Sequence, residues 1–334
     1  MRLSWLLLLV VSLAQAREPV TLRVGFFPNL THAPALAARQ LEREGHNWLS
    51  GHVPAGTKIE WFAYNAGPAA VEALFAGSID ATFIGPSPLL SGHVRTQGKG
   101  LRLLLPIAYG GNALVARPGF AGTTAQDFRG KVIGTPQLGN TQDVDARAWL
   151  AAGGLKITTR GGDARVLPMA NPELVQLFAK GELDAIWTVE PWVTRLRTEF
   201  NGRIIHQRPD ALITVLAASS KSLELSVRKE AIQGLARAIL ALRDRLIADP
   251  ALQLRLVRAG LSTELRATPP ADTLLIEALG RIHLAKPDAS LTRRANLAAS
   301  LQQSLQDAKA AGILRSIYPI EPLLEELIDD PAHR

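Results

Sequence analysis

The chain contains no cysteine among its 334 residues. That excludes a disulfide scaffold, a thiolate nucleophile and a cysteine-borne lipid anchor. Beyond the first sixteen residues, no segment approaches the roughly 20 unbroken apolar residues of a membrane-spanning helix. The 37 Lys plus Arg outnumber the 30 Asp plus Glu, for a net charge of +7, but they are scattered. No Lys/Arg block interleaved with aromatics occurs, so no nucleic-acid surface is expected, and the diffuse positive field is compatible with small anions. The seven histidines never take the H-x-x-x-H or H-E-x-x-H spacing of a metal site. A G-x-S-x-G elbow, a Walker loop and a G-x-G-x-x-G turn are also missing. Neither metal, cofactor nor catalytic constellation is therefore expected.

What is present begins with a leader. Arg2, the apolar run Leu6 to Val11 and the triplet Ala14-Gln15-Ala16 follow the order of a secretory signal with an A-x-A cleavage site. Residues 1–16 are expected to be removed on export, leaving the mature protein in a periplasm. About 318 residues remain, more than one hydrophobic core usually organises, and two domains are expected.

Short apolar segments alternate with helical ones through the first 220 residues, the pattern of βαβ units around mostly parallel sheets. The first block has strands at Thr21 to Val24, Lys58 to Phe62, Asp80 to Ile84 and Leu101 to Ala108, with helices at His32 to Arg43, Ala69 to Phe75 and Pro88 to Gln97. The second has strands at Lys131 to Gly134, Ala164 to Leu167 and Asp184 to Trp187, with helices at Asp143 to Ala151 and Glu173 to Ala179.

The blocks echo each other. Ala73-Leu74-Phe75-Ala76-Gly77-Ser78-Ile79-Asp80-Ala81 and Leu177-Phe178-Ala179-Lys180-Gly181-Glu182-Leu183-Asp184-Ala185 both run helix, Gly exit, acid, strand. Gly77 and Gly181 suit the left-handed helix exit. A duplicated lobe and a common αβ connection both account for this pattern. Tyr109-Gly110-Gly111-Asn112 and Arg117-Pro118-Gly119 mark a crossover, and Ala211 to Ala217 reads as a strand returning to the first block. After Ser220, Leu/Ala/Arg stretches such as Glu230 to Ile247 and Thr292 to Ala311 read as packing helices.

Ligands of open α/β sheets bind at the carboxyl ends of strands. The loops there carry Thr31 and His32 after the first strand, and Gly85-Pro86-Ser87-Pro88 after Ile84, with Ser87 read as an N-cap and Pro88 as the first helical residue. In the second block Gly139, Asn140, Thr141 and Gln142 precede a helix. Two helix N-termini from opposite blocks can face one anion without Arg or Lys, although ordinary capping explains each site singly. Glu190 can accept a ligand ammonium or hydroxyl, or backbone N–H groups; Trp192 can pack on an organic tail or sit in a core.

These residues resemble the periplasmic solute-binding proteins of ABC importers for nitrate, taurine and aliphatic sulfonates. The resemblance is carried by Phe26 to Leu36, Tyr64 to Gly77, Asp80 to Pro86, Thr135 to Val144 and Glu190-Pro191-Trp192, and so covers most of residues 20 to 195. It implies a type II periplasmic binding fold, with two α/β lobes around a ligand cleft and C-terminal helices. Residues 17–110 and 212–334 would form lobe 1 and residues 111–211 lobe 2. The implied role is to capture a small organic anion, an aliphatic sulfonate or taurine first. A permease and its ATPase at the inner membrane would be the partners of a monomeric receptor. Nitrate, a phosphonate, a thiamine pyrimidine precursor, or the chemistry of same-fold menaquinone-pathway lyases are the alternatives. Thr31, His32, Asn65, Gly85, Ser87, Asn140, Thr141, Gln142 and Glu190 would line the site, with Gly139 letting the backbone approach and Trp192 or Tyr109 supplying an apolar wall. Sulfonate-type relatives read Gly-Pro-Asn-Pro where this chain has Gly85-Pro86-Ser87-Pro88, so a hydroxyl replaces an amide there.

Overall fold

A computed structural model describes residues 20–268, 270–284 and 293–328; the expected leader, residues 1–16, lies outside them. The chain begins with β1 (Thr21–Phe26), a 3-10 turn at Leu30–His32, α1 (Ala33–Arg43), β2 (Lys58–Ala63), α2 (Gly67–Phe75), β3 (Ala81–Ile84), α3 (Pro86–Arg95) and β4 (Leu101–Gly110). It continues through β5 (Asn112–Ala116), β6 (Val132–Thr135), α4 (Thr141–Ala152), the hairpin β7 (Ile157–Thr158) and β8 (Gly161–Gly162), β9 (Arg165–Pro168), α5 (Asn171–Ala179) and β10 (Ala185–Val189). Then come α6 (Trp192–Phe200), β11 (Arg203–Gln207), β12 (Leu212–Ser219), α7 (Ser220–Glu224), α8 (Ser226–Ala248), α9 (Pro250–Leu265), α10 (Asp272–Leu279), β13 (Ile282–His283) and α11 (Arg293–Ala310).

Besides the two-stranded β7–β8 hairpin, the described residues form two sheets, ordered β13-β4-β12-β3-β1-β2 and β11-β5-β10-β6-β9. They follow one plan. In the first, β2, β1 and β3 run parallel and β12 pairs antiparallel to β3; in the second, β9, β6 and β10 run parallel and β5 pairs antiparallel to β10. Strands covered on both faces need apolar residues throughout, and β12, LITVLAAS, is buried along its whole length.

The repeated helix-Gly-x-x-Asp segment does the same work in both halves. Gly77 and Gly181 take φ of 71° and 74°. Asp80 accepts the backbone N–H of Arg23 in β1 at 2.9 Å, and Asp184 accepts that of Val132 in β6 at 2.9 Å. Each carboxylate also holds an arginine, Arg23 or Arg117, at the strand edge. The acid is thus the pin that docks the third strand of each half onto the first.

The chain leaves the first sheet through Gly110 and Gly111, whose φ of 71° and 65° lie in the left-handed region. A Cβ at Gly110 would stand 2.6 Å from the Pro209 carbonyl oxygen and 2.7 Å from that of Arg281, so the tight crossing needs glycine. The return segment lies beside it, with the Gly110 N–H donating to the Ala211 carbonyl at 2.9 Å. Arg208 on that segment reaches Asp145 of α4 at 3.0 Å and Asp307 of α11 at 3.3 Å. Burial pushes the Asp145 carboxyl up to about 6, against the pull of Arg208.

α11 belongs to neither sheet alone. Leu297, Leu301 and Leu305 pack with Leu89 and Leu90 of α3, while Ala308 and the following Ala311 pack on Val144 of α4. Among the described residues no helix is long and apolar enough to cross a membrane.

Candidate functional site

The parallel strands of both sheets point their carboxyl ends at one cleft between them. The loop after β1 supplies Phe27, Asn29, Thr31 and His32; the one after β2, Asn65 to Gly67; the one after β3, Gly85. From the second sheet come Pro136 and Asn140 to Gln142 after β6, Asn171 after β9 and Val189 at the end of β10; Ile213 joins from β12. The cleft holds about 410 Å³ of atom-free space counting its mouth, but only about 30 Å³ admits the centre of a water molecule.

Helices start at the cleft from four directions. Gly67 opens α2, Gly85 is the N-cap of α3, Thr141 opens α4 and Asn171 opens α5. The caps of α2, α3 and α5 make no side-chain hydrogen bond; since Pro68, Pro86, Pro88 and Pro172 carry no N–H, the uncapped first-turn donors are those of Gly67 and Ala69, of Ser87, and of Asn171 and Glu173.

Among the described residues, no Asp, Glu, Lys or Arg lines the cleft. Its one titratable side chain, His32, is pushed down to about 3 by burial and is neutral near pH 7. The Phe27 backbone N–H donates to His32 Nδ1 at 3.3 Å, which leaves the ring proton on Nε2 as a donor. The amides are treated alike. Asn29 Oδ1 accepts from the Trp192 indole at 3.2 Å, and Asn171 Oδ1 accepts from the Thr188 hydroxyl at 2.7 Å. Asn140 Oδ1 accepts the Asp143 N–H at 2.8 Å, so its amino group must donate to Gln142 Oε1, at 3.0 Å. In Asn29, Asn171 and Gln142 the oxygen is engaged and the NH2 end remains. Thr141 Oγ1 is buried without a hydrogen-bond partner.

Behind the second-lobe loop sits a buried ion pair. Asp143 accepts from the Thr135 hydroxyl at 3.0 Å, the Gly139 N–H at 2.9 Å and Arg147 Nε at 3.0 Å. Arg147 also donates to the Thr158 carbonyl at 2.8 Å, and both charged side chains are fully buried.

Of the residues expected at the site, the structure brings Thr31, His32, Asn65, Gly85, Asn140, Thr141 and Gln142 together. Five lie outside the lining. Ser87 is not the N-cap of α3: Gly85 is, with Pro86 as the first helical residue, because the earlier proline already presets the helical φ. Tyr109 is spent within the first sheet, opposite Leu212 and His283. Gly139 has φ 76° and turns its N–H to Asp143 rather than to the cleft. The buried Glu190 carboxylate accepts the Thr194 N–H and hydroxyl, both at 2.9 Å, with Arg281 at 3.4 Å; burial still raises it to about 7. Trp192 reaches the cleft only through Asn29.

Sequence reasoning missed Asn29 and Asn171, and the apolar wall of Phe27, Val189 and Ile213. The repeat held one usable signal. Ala170-Asn171-Pro172 stands after β9 as Ala66-Gly67-Pro68 stands after β2, each opening a helix with proline in its first turn.

Two α/β lobes of matching topology, joined by adjacent crossings and facing a polar cleft, define the periplasmic binding protein fold. The chain belongs to the NMT1-like family, whose profile matches residues 15–254. A protein of Brucella abortus described only as a binding protein is 27% identical over 189 residues, 56% of this chain and 53% of that one. The chain therefore matches about half the length of such curated relatives. The alkanesulfonate-binding protein of Xanthomonas axonopodis pv. citri, solved with MOPS bound, superposes with TM-score 0.72 at 20% identity, over 92% of this chain and 99% of that one. The periplasmic nitrate-binding protein of Synechocystis PCC 6803 superposes with TM-score 0.69 at 16% identity, over 90% of this chain and 83% of that one. Both share the fold, in agreement with the resemblance read from the sequence.

Proposed function

We propose that this protein is the solute-binding component of an ABC importer, working in a periplasm and delivering a small organic anion to a permease and its ATPase. The observation that carries this reading is the polarity of the cleft. Donors converge on it from four helix N-termini, from the amino ends of Asn29, Gln142 and Asn171 and from His32 Nε2, with no acidic side chain among them. Such a set solvates an anion and repels a cation. A ligand held by neutral donors also leaves more easily than one held by an ion pair, as a carrier requires.

The small free volume suits a compact headgroup, and the wall of Phe27, Val189 and Ile213 suits a short carbon tail. An alkanesulfonate fits both. Taurine ranks behind it, because its ammonium would meet no carboxylate in the lining. Phe27 and His32 alone bring rings to the cleft, which supports anions over a pyrimidine. We read the residues of the first sheet with the C-terminal helices as one lobe and residues 111–211 as the other, closing on the ligand by hinge motion at the two crossings.

The test is a thermal-shift screen of the mature protein against methanesulfonate, longer alkanesulfonates, taurine, nitrate, sulfate, a phosphonate and the thiamine pyrimidine. Ligand at 100 times its dissociation constant should add about 2.7 kcal/mol. Stabilisation by alkanesulfonates but not by sulfate is the expected outcome. Stabilisation by the pyrimidine alone would overturn the reading.

A further inference from the structure

Two hydrogen bonds pass directly between the lobes beside the cleft. The Leu30 N–H donates to the Glu190 carbonyl at 3.1 Å, and the Trp192 indole donates to Asn29 Oδ1 at 3.2 Å. Trp192 begins α6, behind the second sheet, whereas Asn29 follows β1 in the first. Trp192 is held from its own side: it is buried, Arg195 lies 5.6 Å over its ring, and Thr194 holds the neighbouring Glu190.

An indole N–H donates and cannot accept. It can therefore meet the Asn29 amide only at the oxygen, which leaves the NH2 end for the cleft that Asn29 lines. Because the two residues come from opposite lobes, this constraint applies only while the lobes are together. With the lobes apart, the amide can turn either end inward. We propose that Trp192 is a positioning residue: on closure it fixes the Asn29 amide with its amino end toward the ligand, so that closing the lobes completes the donor set. This rests on the reading of the cleft as an anion site.

Two measurements test it. The first compares 15N–1H spectra of the free protein and of the protein saturated with methanesulfonate or nitrate: the Trp192 indole signal, assigned by its loss in Trp192→Phe, should shift and exchange more slowly with solvent when the anion is added, and Asn29→Leu should abolish that change. An indole signal that the bound anion leaves unchanged, or a change that persists in Asn29→Leu, would overturn the proposal. The second is calorimetry with methanesulfonate and with nitrate. Trp192→Phe should weaken whichever anion binds by about tenfold, the scale of one lost hydrogen bond to a charged group. Asn29→Asp, which still accepts from the indole but turns an acceptor into the cleft, should abolish anion binding. Wild-type affinity in Trp192→Phe would overturn the proposal, and Asn29→Asp gives a second route should the phenylalanine variant fold poorly. If neither anion binds the wild type, the anion reading fails and the proposal falls with it, whereas anion binding without the indole change overturns the proposal alone.

Discussion

Both lobes offer helix N-termini to one cleft, but they hold them by different means. In the first lobe, Ala66 and Gly85 cap α2 and α3 with no side-chain bond, and Pro68, Pro86 and Pro88 stiffen the first turns. In the second, Asn140 caps α4, and the loop before it hangs on the buried Asp143–Arg147 pair through Gly139 and Thr135. The first lobe is shaped by small and rigid residues and leaves the first-turn N–H groups of Gly67, Ala69 and Ser87 uncapped. At α4 the second satisfies its own backbone with side chains and keeps hydroxyl and amide ends for the ligand, while α5, capped by Ala170 without a side-chain bond and with Pro172 in its first turn, follows the first-lobe manner. A protein built this way has one helix-start loop that tolerates polar substitution and another that does not.

The sharpest way to break this comparison is Asp143→Asn or Arg147→Met. Each leaves an uncompensated buried charge or an emptied polar network and should lower unfolding free energy by roughly 3 to 5 kcal/mol in chemical denaturation. Comparable losses at the first-lobe caps would refute the contrast. Next is Gly85→Ala. Its φ of −72° accepts alanine, but the added Cβ would collide with the Thr141 hydroxyl of the other lobe. Closure should cost roughly 1 to 3 kcal/mol more, read as weaker ligand binding with the melting temperature nearly unchanged, and Thr141→Ala in the same chain should restore closure. Alone, Thr141→Ala should weaken anion binding by about 1 to 2 kcal/mol, since its unpaired hydroxyl is then missing from the site.

Glu190 gives the pH test. Its folded pKa of about 7 lies above its ordinary value of 4.5. The stability it contributes is therefore complete below pH 4.5 and is lost as pH rises through about 7. Between pH 6 and pH 8 the wild type should lose about 1 kcal/mol relative to Glu190→Gln, measured by paired denaturation curves. The smallest effect belongs to Ser87→Ala, within about 0.5 kcal/mol of wild type for both binding and stability, because Ser87 neither caps α3 nor lines the cleft.

Much of this architecture was readable along the chain. The helix-Gly-x-x-Asp segments were compatible with two similar halves as well as with a common αβ connection, and the strand-to-helix turns drew attention to Thr31, His32, Asn65, Gly85 and residues 140 to 142, because capping chemistry and glycine are local signals. Asn29 and Asn171 carried no such signal of their own: an asparagine in a loop reads as a turn residue until its partner is known. Glu190 and Trp192 misled for the opposite reason. A carboxylate and an aromatic after a buried strand look exposed to a ligand, whereas Thr194, Arg281 and Asn29, distant or on another element, absorb them.

The sequence by itself determined the α/β alternation, the two crossings and the chemistry of the loops, since these follow from periodicity, glycine and proline acting over a few residues. Only the tertiary structure decided which end of each amide faces the cleft. For Asn29 and Asn171 that choice is made by donors from elsewhere, the Trp192 indole across the lobes and the Thr188 hydroxyl in β10, whereas Asn140 is set locally by the Asp143 backbone N–H. A hydrogen bond's direction depends on both partners, and folding alone brings the second one into place.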